Sequence, residues 1–225
     1  MSRILRRHPL RRPTTALDRG EAPLDAIVIT LHGGPEHGFS ATRPWSAPYL
    51  RMIPFARAVR TRSKDRIGVV RVRHTHTGWN GGEQTTLGEV RWLLAELTET
   101  HPGLPIGLLG HSLGGRTALA AAGHPQVRSV VALAPWVTDH DDVDQLRGRE
   151  VLLLQGDRDR ECPPRATRAY AERVKAAGID VELRIITGAG HAMVRQAQRW
   201  HDLAAGHLVR TLLPPAQDAK STESQ

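Results

Sequence analysis

One cysteine, Cys162, is all the sulfhydryl chemistry this chain of 225 residues carries, which excludes an intramolecular disulfide and suits a reducing compartment. No apolar run approaches the roughly 20 residues that cross a bilayer. The first residues, MSRILRRHPLRRPTTALDRGEAP, are basic with no apolar stretch behind them, so they do not read as a secretory signal. A protein of the cytoplasm is expected. Lysine is nearly missing, with 3 against 28 arginines; the net charge of +8 invites nucleic acid as a partner, but the arginines are scattered. Only Arg3, Arg6, Arg7, Arg11 and Arg12 cluster, among Pro and Thr. Two Phe and two Tyr beside five Trp give no aromatic-plus-basic platform for stacking bases. No nucleic-acid partner is expected.

What is present is an alternation of apolar runs and helical patterns. Asp25–Leu31, Arg66–Val72, Ile106–Leu109, Val127–Ala134, Glu150–Gln155 and Val181–Ile186 read as buried strands. Helices fall between them, over Ala47–Arg60, Thr85–His101, from about Gly115, over Pro164–Ala177 and over Ala192–Leu212. Pro54 is expected to bend the first of these or to mark its true start. Such alternation implies an α/β fold, a three-layer α/β/α sandwich with a mostly parallel sheet of about six strands. At this length about 70% of the unfolded surface can be buried, enough for one domain. That domain is expected over 25–213, with 1–24 a flexible basic arm and 214–225 a disordered tail. About fifteen residues join the fourth and fifth strands, too few for a lid.

The stretch LPIGLLGHSLGGRTALAAAG (104–123) organises the chemistry. A strand runs into Gly110-His111-Ser112-Leu113-Gly114 and an alanine-rich helix leaves it, the context a G-x-S-x-G serine requires. Its glycines are needed because a Cβ at either flank would strike neighbouring backbone in a strained strand-to-helix turn. A serine hydroxyl is a weak nucleophile, so it requires a base and a third group to orient that base. Asp159 and His191 follow Ser112 in chain order, each just past a strand, and His32-Gly33-Gly34-Pro35 supplies a turn whose N–H groups can face a cleft. His74-x-His76 has the spacing of zinc ligands but no third ligand near it, and no metal or other cofactor is expected.

With HGGP (32–35), GHSLGG (110–115), GDRDRECP (156–163) and GAGH (188–191) in hand, the chain resembles the α/β-hydrolase-fold serine hydrolases over roughly 25–212, in a minimal, lidless form like a carboxylesterase or dienelactone hydrolase. The resemblance implies Ser112 as nucleophile, His191 as general base and then acid, and Asp159 as its partner. Asp159 fits better than Asp157, lying three residues past Gly156 and four before Pro163. It also implies the backbone N–H groups of Gly34 and Leu113 as oxyanion donors. The family's opening antiparallel strands are not expected, since the residues ahead of 25 are few and polar. Trp45, Trp79 and Trp136 are candidates to line an acyl pocket. His111 is expected to turn away from the cleft, and Cys162 to be structural.

The implied reaction is hydrolysis of a small or medium ester or thioester through an acyl-enzyme on Ser112. Acyl transfer or cofactor-free perhydrolysis would use the same triad, and a catalytically silent, ligand-binding member would keep the fold alone. Neither the acyl chain nor the oligomeric state follows from the residues.

Overall fold

The computed structural model describes residues 12–213. Most of the basic cluster of the expected arm, and the whole of the expected tail over 214–225, lie outside the described residues. A seven-stranded sheet forms the middle layer, made of β1 (Thr14–Asp18), β2 (Ala26–Leu31), β3 (Ile67–Arg73), β4 (Ile106–His111), β5 (Val127–Leu133), β6 (Glu150–Gly156) and β7 (Glu182–Ile186). Their order is β1-β3-β2-β4-β5-β6-β7, parallel except for β1, which runs antiparallel to β3. Every residue of β2 and β4 is buried, as befits strands covered on both faces.

Five helices cover the sheet: α1 (Ala47–Ser63), α2 (Thr85–Thr100), α3 (Leu113–Ala121), α4 (Pro164–Ala176) and α5 (Ala197–Leu212). On one face α1 and α5 close over the strands through Met52, Phe55, Val59, Trp200 and Leu208. On the other, α2, α3 and α4 bring Leu94, Ala118 and Val174 onto Ile29, Leu108 and Leu153. Each such fully buried aliphatic side chain contributes about 1.5–3 kcal/mol relative to exposure. The result is the expected three-layer sandwich without a cap domain.

Three expectations are corrected. Within the expected arm, where no opening antiparallel strand was expected, Thr14–Asp18 pairs antiparallel with β3 and adds a seventh strand to the expected sheet of about six. That strand is polar and half exposed, so apolar patterning could not reveal it; the backbone ladder holds it, with Arg71 donating to Asp18 and Arg73 to Thr14. The last helix opens at Ala197, not Ala192, since Met193 (φ 57°) and Gln196 (φ 55°) sit in the left-handed region and interrupt the helical run. Pro54 marks no helix start: α1 begins at Ala47 and runs through it.

Candidate active site

From β2 the chain moves outward to β3 and then returns past β2 to β4, so β2 and β4 are neighbours from which it departs in opposite directions. Such a switch point opens a crevice beyond the strand ends. Leu31 of β2 pairs with Gly110 of β4, which sets His32-Gly33-Gly34 beside Ser112.

Ser112 occupies φ 55°, ψ −117°, a conformation costly for a residue with a side chain. Packing over-determines it. A Cβ on Gly110 would stand 2.0 Å from the Gly114 carbonyl oxygen, and one on Gly114 would stand 2.3 Å from that of Leu31. Only glycine allows so tight a turn. The Ser112 N–H donates to Leu133 O, while Ser112 O accepts from Arg116 and Trp136. Leu113 opens α3, where the first amides have no intrahelical partner.

β6 and β7 deliver the other two groups. Asp159 Oδ2 lies 2.8 Å from His191 Nδ1 and accepts from Gln155 Nε2 at 3.1 Å; Oδ1 accepts the N–H groups of Glu161 at 2.9 Å and Cys162 at 2.8 Å. A buried carboxylate with this many donors is fully compensated. Burial works to raise the Asp159 carboxyl, but the bonds from His191, Cys162 and Gln155 outweigh it and hold it below the usual range. His191 moves the other way: burial would lower it, and contacts with Asp159 and Cys162 overcome that and raise it. Asp157 faces elsewhere, accepting the Gly188 N–H at 2.6 Å and so tethering the loop before His191.

Cys162, expected to be structural, comes to the serine itself. Its Sγ is 4.0 Å from Ser112 Oγ and contacts the His191 side chain, so one sulfur touches both groups. The exposed Glu161 carboxylate stands 3.7 Å from His191 Nε2. His111, expected to turn away from the cleft, is buried and meets His191: its Nε2–H donates to the His191 carbonyl at 3.0 Å, and the two rings lie 4.7 Å apart. Burial, then the charge of His191, pushes His111 down to about 3.

The sequence profile of the family described as alpha/beta hydrolase fold matches residues 27–167, more than half the chain. This chain belongs to the alpha/beta hydrolase fold family. The profile of the prolyl oligopeptidase family matches residues 135–212, the part that carries Asp159 and His191. No curated protein sequence matches the chain.

Solved structures resemble this alpha/beta hydrolase along nearly its whole length. One is a serine hydrolase without lid from Xanthomonas campestris, 21% identical, covering 94% of each chain at a TM-score of 0.72. A monoacylglycerol lipase from Paleococcus ferrophilus is 18% identical and covers 89% of this chain and 100% of its own at 0.67. Est1E from Butyrivibrio proteoclasticus, solved with ferulic acid bound, is 14% identical and covers 88% and 95% at 0.65.

In this alpha/beta hydrolase the three tryptophans part company. Trp45, 69% exposed, lines a largely apolar cleft of about 390 Å³ together with Gly33, Gly34, Pro35, Thr42 and Pro48. Trp79 and Trp136 instead grip Arg116, whose guanidinium lies 4.4 Å and 4.6 Å from the two rings, while Asp141 accepts from it at 2.7 Å. Both rings thus meet one cation, a pairing that their separation in sequence conceals, and Trp79 also lines a separate cavity of about 200 Å³ with Arg116 and Tyr170. His74 and His76 both turn to the buried Glu89.

Proposed function

We propose that this alpha/beta hydrolase is a serine hydrolase that cleaves a small or medium carboxylic ester or thioester through an acyl-enzyme. Ser112 Oγ attacks the acyl carbonyl as His191 takes its proton. The tetrahedral oxyanion is held by the N–H groups of Gly34 and Leu113. On collapse, His191 returns the proton to the leaving group, and a water activated by the same imidazole frees the acid. Asp159 fixes the ring with Nδ1–H toward itself and stabilises the imidazolium formed on proton transfer.

The observation that carries this reading is the buried Asp159–His191 pair, at 2.8 Å, brought to the same sulfur as the serine of a strained strand-to-helix turn. The cleft beside Gly34 gives the acyl group somewhere to lie, and its volume suits a short chain or a single ring. Relatives named as a serine hydrolase and a monoacylglycerol lipase favour an ester as the electrophile. A fluorophosphonate probe is expected to label Ser112 in the wild type and not in Ser112→Ala. Well-folded wild-type protein that takes no label and turns over no p-nitrophenyl ester would refute the proposal.

A further inference from the structure

Behind the Gly33-Gly34 turn runs a buried polar chain to which the proposed reaction assigns no part. It starts at Glu89, on α2 between Leu87 and Val90, whose side chain has no solvent exposure. Its carboxylate accepts the Thr75 N–H at 3.0 Å and the Thr75 hydroxyl, and meets His74 Nδ1 at 2.8 Å and His76 Nδ1 at 3.4 Å. A carboxylate so enclosed is tolerated only when its oxygens are bonded. The residues just after β3 are therefore tied to α2 at this point.

From there the chain reaches the turn. The His74 backbone N–H donates to His32 Nε2 at 3.2 Å, and a backbone N–H can only donate, so Nε2 carries a lone pair. The ring proton sits on Nδ1, which donates to the Gly33 carbonyl at 2.7 Å. Both bonds thus require one neutral tautomer. Burial, with the charges of His74 and Arg73 adding to it, pushes His32 down to about 3. In a trans peptide the carbonyl and the following N–H point in opposite directions, so a bond that fixes Gly33 O also fixes the Gly34 N–H. The turn is closed from the other side as well, where a Cβ on Gly34 would stand 2.1 Å from Thr77 O.

We propose that Glu89 and His74 are positioning residues for the oxyanion site: through His32 they hold the Gly33–Gly34 peptide in the one orientation that aims the Gly34 amide into the cleft. This rests on the reading of Gly34 as an oxyanion donor. Such a donor counts only when it lies within about 0.2 Å of 2.9 Å from the developing oxyanion, and losing one costs about 10²–10³ in kcat. A donor kept but misaimed loses part of that, about tenfold.

The test compares Glu89→Gln, His32→Leu and His32→Asn with wild type in kcat and KM on p-nitrophenyl butyrate, in affinity for a trifluoromethyl ketone, and in melting temperature. Asn returns an N–H donor near the position of Nδ1; Leu does not. Glu89→Gln and His32→Leu are expected to lose about tenfold in kcat at a KM within about twofold, and to weaken the ketone, whose adduct carries the oxyanion, by the same factor. His32→Asn is expected to recover most of the loss. A lower melting temperature with kcat and ketone affinity unchanged in Glu89→Gln and His32→Leu overturns the inference, as does an equal loss in the Leu and Asn variants. Should Glu89→Gln fail to fold, the two His32 variants decide. Wild-type protein that turns over no ester fails at the earlier step, and that result is distinct from either.

Discussion

The two flanks of Ser112 use histidine in opposite ways. On the β6–β7 side His191 meets a buried carboxylate and a sulfur, and its pKa is raised. On the β2–β3 side His32 is buried against a carbonyl and an amide and is pushed down to about 3. In the proposed reaction the first ring carries a proton; the second is locked by two bonds into one neutral tautomer. Neighbours and burial, not residue type, divide the labour.

The comparison breaks hardest if the first flank loses its charge. Asp159→Asn is expected to lower kcat about 10⁴-fold with the fold retained, because the amide leaves His191 free to adopt the wrong tautomer; stopped-flow ester hydrolysis together with a thermal melt checks it. Next comes the other flank. Gly34→Ala places a methyl group 2.1 Å from Thr77 O, so the turn must shift and kcat should fall about 10²–10³-fold with little change in KM.

A smaller change sharpens the contrast. Contact with Cys162 favours the protonated form of His191, so Cys162→Ala should lower its pKa. In the proposed reaction the rate requires neutral His191, so the acidic limb of the kcat/KM profile is expected to move to lower pH, while His32, pushed down to about 3, contributes no limb between pH 5 and 9. A pH–rate series on both proteins reads this directly; an unmoved limb would mean that Cys162 leaves His191 untouched. Least affected should be Asp157→Ala, which removes only the tether to the Gly188 N–H. About 1 kcal/mol of stability is expected to go, with kcat nearly intact, measured by urea unfolding.

How much of this was legible in the chain differs between the flanks too. The glycines around Ser112, the spacing from Gly156 to Asp159 and Pro163, and the strand ends before Asp159 and His191 are local signals, and in the structure Asp159 and His191 stand 2.8 Å apart. β1 was not legible, because a polar edge strand buries too little to leave a period of two. Nor was the approach of Cys162 to Ser112, since fifty residues separate them and only the closing of the β6 loop unites them. Glu89 hid for another reason: one acid within an apolar helical stripe usually reaches solvent, and its burial depends on where β3 ends. The sole trace was the neighbouring pair His74 and His76, which has the spacing of zinc ligands with no third ligand near it in the chain.

The segment between β5 and β6 spends its length on a single 3₁₀ turn, Asp144–Leu146, and on the Arg116–Asp141 clasp. An unroofed mouth sets no ceiling on what trails outside it. In the proposed reaction, discrimination therefore falls on the portion of a molecule that enters the cleft beside Trp45.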